Sequence, residues 1–283
     1  MRKFRGLIVL GAIGVAGCNL SSDLSTTQRI GIITLSQIGE GDSAKATIVG
    51  QFFQTSPTIQ PSIPNSLAVG DTCAVFDYQG PPDIPDPIKL DNLNAGSSIT
   101  VTTDKEETSM VPSFNSAGSV VYTIPEGPVA FTPGSKVNFE IPGDTGGFPA
   151  QSLQVTTLTV PTFAPIERHP SEDMTLSWSP AGSAGGGIQL EFLFSSDSNT
   201  TQDKEMFCSL RDDGSHIIPK YIVAGAWASS PDVAQSVSGI RWNTTINQNQ
   251  DVLMDVVVQV NAKPFTFVAD EAPATDIRAN TSR

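Results

Sequence analysis

Strict alternation of apolar and polar side chains is the feature that most constrains this chain. In KVNFEI, Val137, Phe139 and Ile141 share one side, while Lys136, Asn138 and Glu140 share the other. A helix turns about 100° per residue and scatters such a pattern, whereas a strand gathers it onto one face. The pattern recurs with Ile99 and Val101, then with Ile188, Leu190, Phe192 and Phe194. It recurs again with Val252, Met254, Val256, Val258 and Val260. Helical periodicity is nearly absent. Gly, Pro, Asn and Asp punctuate the alternating runs, as expected of half-buried antiparallel strands. The fold class is all-β.

Many short strands favour sandwiches or barrels, and the expected architecture is two tandem antiparallel β-sandwich domains. The seam falls in VPTFAPIERHP, where three prolines remove backbone donors and stiffen the chain. Residues 29–160 form the first expected domain, 161–170 a Pro-rich linker, 171–270 the second domain and 271–283 a disordered tail. Thr55–Ser66 and Gln79–Pro87 read as long surface loops. In the second domain, MTLSWSPAGSAGGGIQLEFLF resembles the early strands of fibronectin type III and related immunoglobulin-like sandwiches. That resemblance implies a core tryptophan at Trp178 and a later strand at YIVAGA, Tyr221–Ala226.

The leading segment points to export. Met1-Arg2-Lys3-Phe4-Arg5 is positive, and Gly6–Ala16 is apolar. A helix over that run reaches only about 17 Å, short of the ~30 Å hydrocarbon layer, as a cleaved signal does. Val15, Ala16, Gly17 and Cys18 resemble the lipobox of bacterial lipoproteins. The resemblance implies removal of residues 1–17 and attachment of lipid to the Cys18 sulfur, with Val15, Ala16 and Gly17 read by the signal peptidase. Residues 18–28 then form a lipidated, flexible tether. Two or three acyl chains anchor firmly because each buried methylene contributes roughly 0.8 kcal/mol. Asn19 stands where an aspartate retains enteric lipoproteins at the inner membrane, which favours the outer membrane in a Gram-negative cell.

Removing residues 1–17 leaves 266 residues and takes away Arg2, Lys3 and Arg5, moving the formal charge from −13 to −16. Such a surface repels nucleic acid and anionic lipid headgroups. Two cysteines remain, Cys73 and Cys208. Export permits a disulfide, but Cys208 shares strand parity with Met206 and Leu210 and reads as facing its own core. A bridge needs α-carbons within about 7 Å, so two unpaired buried thiols are favoured over an interdomain bridge.

Motifs with catalytic potential are incomplete. Asp144-Thr145-Gly146 lacks the second carboxylate that an aspartic protease requires, and reads as a loop. Gly41-Asp42-Ser43 lies in a polar turn, and neither His169 nor His216 is placed as its base. Asp213-Gly214 reads as a hairpin turn. Asp197, Asn199, Asp203 and Glu205 lie in an oxygen-rich stretch without EF-hand spacing, which reads as a solvated hairpin loop. Gly182–Gly187 lacks the lysine of a phosphate loop. No cofactor is implied.

By elimination the expected function is a lipid-anchored cell-envelope protein with a non-enzymatic structural, adhesive or protein-interaction role. Its expected partners are the membrane, through the lipid, and envelope proteins or glycans. Trp227 and Trp242 support a second reading, a carbohydrate-binding surface module that stacks sugars on these rings. A hydrolase, third, needs a histidine, a serine and a carboxylate brought together.

Overall fold

The computed structural model describes residues 28–55, 70–77, 91–114, 119–167, 172–180, 186–195, 202–227, 236–249, 251–265 and 267–268. In chain order the strands begin with β1 (Gln28–Ile38), β2 (Lys45–Thr55), β3 (Thr72–Asp77), β4 (Asp91–Asn92) and β5 (Ile99–Thr102). Next come β6 (Glu107–Phe114), β7 (Val120–Thr123), β8 (Val129–Ala130), β9 (Lys136–Ile141) and β10 (Gln151–Thr156). β11 (Ile166–Glu167), β12 (Met174–Ser177), β13 (Gly186–Ser195), β14 (Gln202–Arg211) and β15 (Ser215–Ile218) follow. An eight-residue helix, α1 (Lys220–Trp227), precedes β16 (Ser236–Asn249), β17 (Val252–Asn261) and β18 (Phe267–Val268). Among the described residues no helix is long and apolar enough to cross a membrane.

The alternating runs become strands with the expected inward faces. Ile99, Val101, Val137, Phe139 and Ile141 are buried, as are Ile188, Leu190, Phe192 and Phe194. β17 departs from the pattern, because Leu253 and Asp255 are buried along with Val252, Met254 and Val256.

The two-sandwich expectation fails. Fourteen strands join one hydrogen-bonded sheet in the order β10-β9-β5-β6-β7-β2-β1-β17-β16-β13-β14-β3, with β4 and β8 also paired to β2. Two small ladders stand apart, parallel β11–β18 and antiparallel β12–β15. The fibronectin and immunoglobulin-like resemblance falls with it, since this is not a pair of closed sandwiches. The reason is physical: alternation reports that a strand has one buried face, but carries no information about which strand lies beside it.

Tyr221–Ala226, expected as a strand, is part of α1. Pro219 opens this helix and its carbonyl accepts from the amides of Ile222 and Val223. The Asp173 carboxylate takes the Lys220 amide at 2.7 Å, satisfying a donor that the first turn leaves over. Val223 and Ala226, three residues apart on one side of the helix, are buried.

The chain divides into two compact units: Met1–Gly70, Asp86–Leu158 and Trp242–Gln259 form the first; Asp71–Pro85, Thr159–Arg241 and Val260–Arg283 form the second. The first is built on the eleven-residue antiparallel pair β1–β2. Phe52 meets Tyr122 edge-on at 5.3 Å and Phe148 at 4.8 Å. Gly31 is required there, because a Cβ at that position falls 2.5–2.9 Å from Met254, Phe148 and Phe52. The Gln37 side chain completes this core's backbone bonding, donating to the Leu158 carbonyl at 2.7 Å and accepting from its amide at 2.6 Å.

The second unit packs Trp178, Ile188, Leu190, Phe192, Met206 and Cys208 into a common core with Val223 and Ala226. Trp178 is thus the core tryptophan anticipated above. β3 pairs antiparallel with β14 and sets Cys73 directly opposite Cys208. The two are disulfide-bonded with α-carbons 4.1 Å apart, which corrects the preference for free thiols. Assigning Cys73 to a separate core caused that error; Asp71–Pro85 belongs to the same unit as Cys208. The bridge spans 135 positions, a constraint on the unfolded chain worth on the order of 2–5 kcal/mol.

The expected signal peptide, Val15 to Cys18, nearly all of the tether, the 271–283 tail and His169 lie outside the described residues. So do most of Thr55–Ser66 and Gln79–Pro87, and the Trp227 side chain.

Candidate functional site

The sequence motifs become structural turns. Gly41–Ser43 form a single 3-10 turn with no buried residue, and the Ser43 hydroxyl donates to the Glu40 carbonyl at 2.8 Å. Asp144 starts a tight loop: its amide donates to the Phe148 carbonyl at 2.9 Å, and its carbonyl accepts from the Gly147 amide at 3.0 Å. His216 lies in β15 opposite Leu176. Gly214 takes φ +101°, the left-handed geometry that the hairpin after β14 demands. Glu205, expected in a loop, is mid-strand in β14, while Asp197 and Asn199 are outside the described residues. Among the described residues no group of three His, Cys, Asp or Glu side chains is placed to hold a metal ion. Trp242 sits in β16 and is 7% exposed, so its ring offers no open face for a sugar.

The most concentrated polar chemistry is buried around an ion pair. Arg241, in β16, is completely enclosed. Its Nε faces Asp212 Oδ2 at 2.8 Å and its Nη2 donates to Asp212 Oδ1 at 3.0 Å. Nη1 donates to the Thr159 carbonyl at 2.7 Å and to Thr159 Oγ1 at 3.0 Å, and Nη2 also reaches the Ser179 carbonyl. The Trp178 indole donates to Asp212 Oδ1 at 2.8 Å. This network ties β16 to the turn after β14, to the end of β12 and to the segment entering the second unit. Its groups bond one another, so the arrangement supports structure instead of chemistry on a ligand.

Two buried polar residues of the first unit differ in how far they are satisfied. The Tyr122 hydroxyl, wholly buried, donates toward Asn94 Oδ1 and the Gly96 carbonyl at 2.8 Å, and accepts the Ala95 amide at 2.9 Å. Burial raises its pKa above the ordinary phenol value. Asp255 is 1% exposed; Oδ1 accepts from Thr244 Oγ1, while Oδ2 has no partner. Burial pushes this carboxyl up, and the Thr244 bond offsets that only in part.

What remains available to another molecule is the outer face of β13, β14 and β3. The inward residues of these strands enter the core, leaving Gln189, Glu191, Leu193, Glu205, Phe207, Ala74 and Phe76 on the opposite side. Phe76 is 54% exposed and stands opposite Glu205 on the neighbouring strand. Burial raises the Glu205 pKa, and the negative charge of Glu191 raises it further. β3 terminates the sheet order, and both its ends are tied down: Asp77 pairs with Lys204, and Asp71 with Arg211 at 2.7 Å.

Arg241, Asp212, Asp255 and Tyr122 escaped the sequence reading. The one available signal was a charged residue inside an apolar alternating run: Asp255 in LMDVVV and Arg241 in GIRW. Buried charge inside a strand announces a partner or a cost.

No family model matches the chain, and no curated protein matches it. Neither the lipoprotein resemblance of the leading segment nor the fibronectin resemblance gains a relative from these comparisons.

Proposed function

We propose that the chain is an exported protein held at the cell envelope by lipid on Cys18, where its β units bind other envelope macromolecules without catalysing a reaction. In a Gram-negative cell the expected site is the outer membrane. The observation that carries the binding role is the open outer face of β13–β14–β3. An exposed phenylalanine on the terminal strand β3, with Glu205 on β14 and Glu191 on β13, makes a contact surface, while the buried Arg241, Asp212 and Trp178 of the same unit are bonded to each other. The anchor rests on the residues from Met1 to Cys18.

Fractionation of cells expressing the full chain and Cys18→Ala tests the anchor. Wild type should sediment with membranes and the variant should become soluble; continued sedimentation of the variant rejects the lipid attachment. Chemical cross-linking in intact envelopes tests the binding role. A reproducible cross-linked species of defined mass supports it, and an absence of any such species rejects it.

A further inference from the structure

We infer that β3 receives an extended, arginine- or lysine-bearing segment of another protein, added beside it as a further strand, with the cation lying across Phe76 toward Glu205. This inference rests on the binding role proposed above and specifies its partner.

Three independent features converge on β3. First, it ends the sheet order, so one of its edges pairs with β14 while no described strand pairs with the other. An unpaired edge presents alternating amide and carbonyl groups to a new strand. Second, the edge is preorganised. The Cys73–Cys208 bridge fixes its register, and the pairs Asp71–Arg211 and Asp77–Lys204 hold its two ends. A template already ordered loses little entropy when a segment binds.

Third, the side chains select charge. Val75 and Cys73 pack inward against the core that Val223 and Ala226 complete, so Ala74 and Phe76 face outward. Glu205 lies beside Phe76, and Glu191 lies diagonally across from Glu205 on β13. Among the described outward residues of β3, β13 and β14 the one cation is Arg211, which Asp71 neutralises at the far end of β14 from Glu205; Lys204 is engaged with Asp77 at the other end. The two carboxylates repel one another, which contributes to holding the Glu205 pKa up. An incoming cation relieves that repulsion and meets the face of an exposed ring. An added strand lies about 4.8 Å beyond β3, and an arginine side chain is long enough to cross Phe76 from there. A second copy of this chain is a poor occupant, because each copy carries a formal charge of −13 or more negative.

Fluorescence anisotropy with the full chain and a labelled octapeptide alternating arginine and valine tests the inference. The peptide should bind, and a counterpart with glutamate for arginine should not. Glu205→Gln and Phe76→Ala should each weaken binding about three- to tenfold, the range of one cation–carboxylate or cation–ring contact. Glu126→Gln, an exposed change in the first unit, should leave it unaltered. N-methylation of alternate peptide amides should abolish binding if backbone pairing holds the segment. Both substitutions lie on the surface, and unchanged melting curves will show that each variant is folded. Equal binding by the Glu205→Gln/Phe76→Ala double variant, or full binding of the N-methylated peptide, overturns the inference. So does a dimer in sedimentation that Phe76→Ala dissociates, since the face then belongs to a second copy. Envelope cross-links that survive the double variant discard this site alone, whereas their absence in wild type discards the binding role itself.

Discussion

In the second unit the Asp212 side chain is 2% exposed and meets Arg241 at 2.8 Å, with the Trp178 indole completing its bonding. In the first unit Asp255 is 1% exposed and has only the Thr244 hydroxyl on one oxygen. Both carboxylates are taken out of water, but only one is given a countercharge. A paired buried ion holds its neighbours in place and is expensive to break; an unpaired one is a standing cost that protonation relieves. Similar burial therefore predicts opposite responses to mutation and to pH.

The largest effect should come from breaking the pair. Arg241→Met leaves Asp212 buried without its cation and should cost about 3–5 kcal/mol, lowering the melting temperature by roughly 10 °C. Adding Asp212→Leu to that variant should recover about half of the loss, because the stranded charge is gone while the Thr159 and Ser179 carbonyls still lack a donor. Urea denaturation of the two variants beside wild type gives both numbers. If the double variant recovers nothing, the cost lies in those carbonyls and Arg241 is chiefly a hydrogen-bond hub.

Asp255→Asn should act in the opposite direction. The native pKa of Asp255 is raised, so the folded state binds its proton more tightly than the unfolded state does. Stability from this group is then full below the ordinary aspartate pKa and is lost as pH rises through the native value. At pH 7.5 the asparagine variant should be the more stable by about 1 kcal/mol, and the gap should close on acidification toward about pH 3.5. Parallel urea titrations at the two pH values measure it. Destabilisation at both would show that the carboxylate has a function in the fold that its missing partner conceals.

The contrast between the two aspartates also marks what the sequence could disclose. Alternation around Val137, Phe139 and Ile141 located a strand and its inward face, because face assignment is a local property. Pairing is not local. Cys73 lies between stretches rich in proline, and nothing near it shows that its neighbour is Cys208, 135 positions away. The same limit concealed the single sheet, since β3 belongs to the first half of the chain by order and to the second unit by contact. Asp255 looked like an outward residue by parity, but β17 is buried on both faces over Val252–Val256. YIVAGA read as a strand through resemblance, while Pro219 and the alanines set its helix locally. The outer face was legible only in part: by sequence Glu205 reads as part of a solvated hairpin loop, and its neighbour Phe76 has no motif to single it out.

The smallest effect belongs to an exposed carboxylate and sharpens the comparison by its sign. Asp104 accepts the Thr132 amide and the Ser135 hydroxyl, both at 2.9 Å. Hydrogen bonds from Thr132 lead in lowering its pKa to about 2, with the Ser135 bond adding to them. A depressed native pKa contributes stability that is present above the ordinary aspartate value and is lost as pH falls toward about 2. Asp104→Asn should therefore be slightly less stable than wild type at neutral pH and indistinguishable from it in strong acid. Plotted against pH, the stability differences of Asp104→Asn and Asp255→Asn should have opposite signs and both shrink on acidification. Curves of the same sign would mean that bulk charge, reduced by one in either variant, governs the response more than the local partners do.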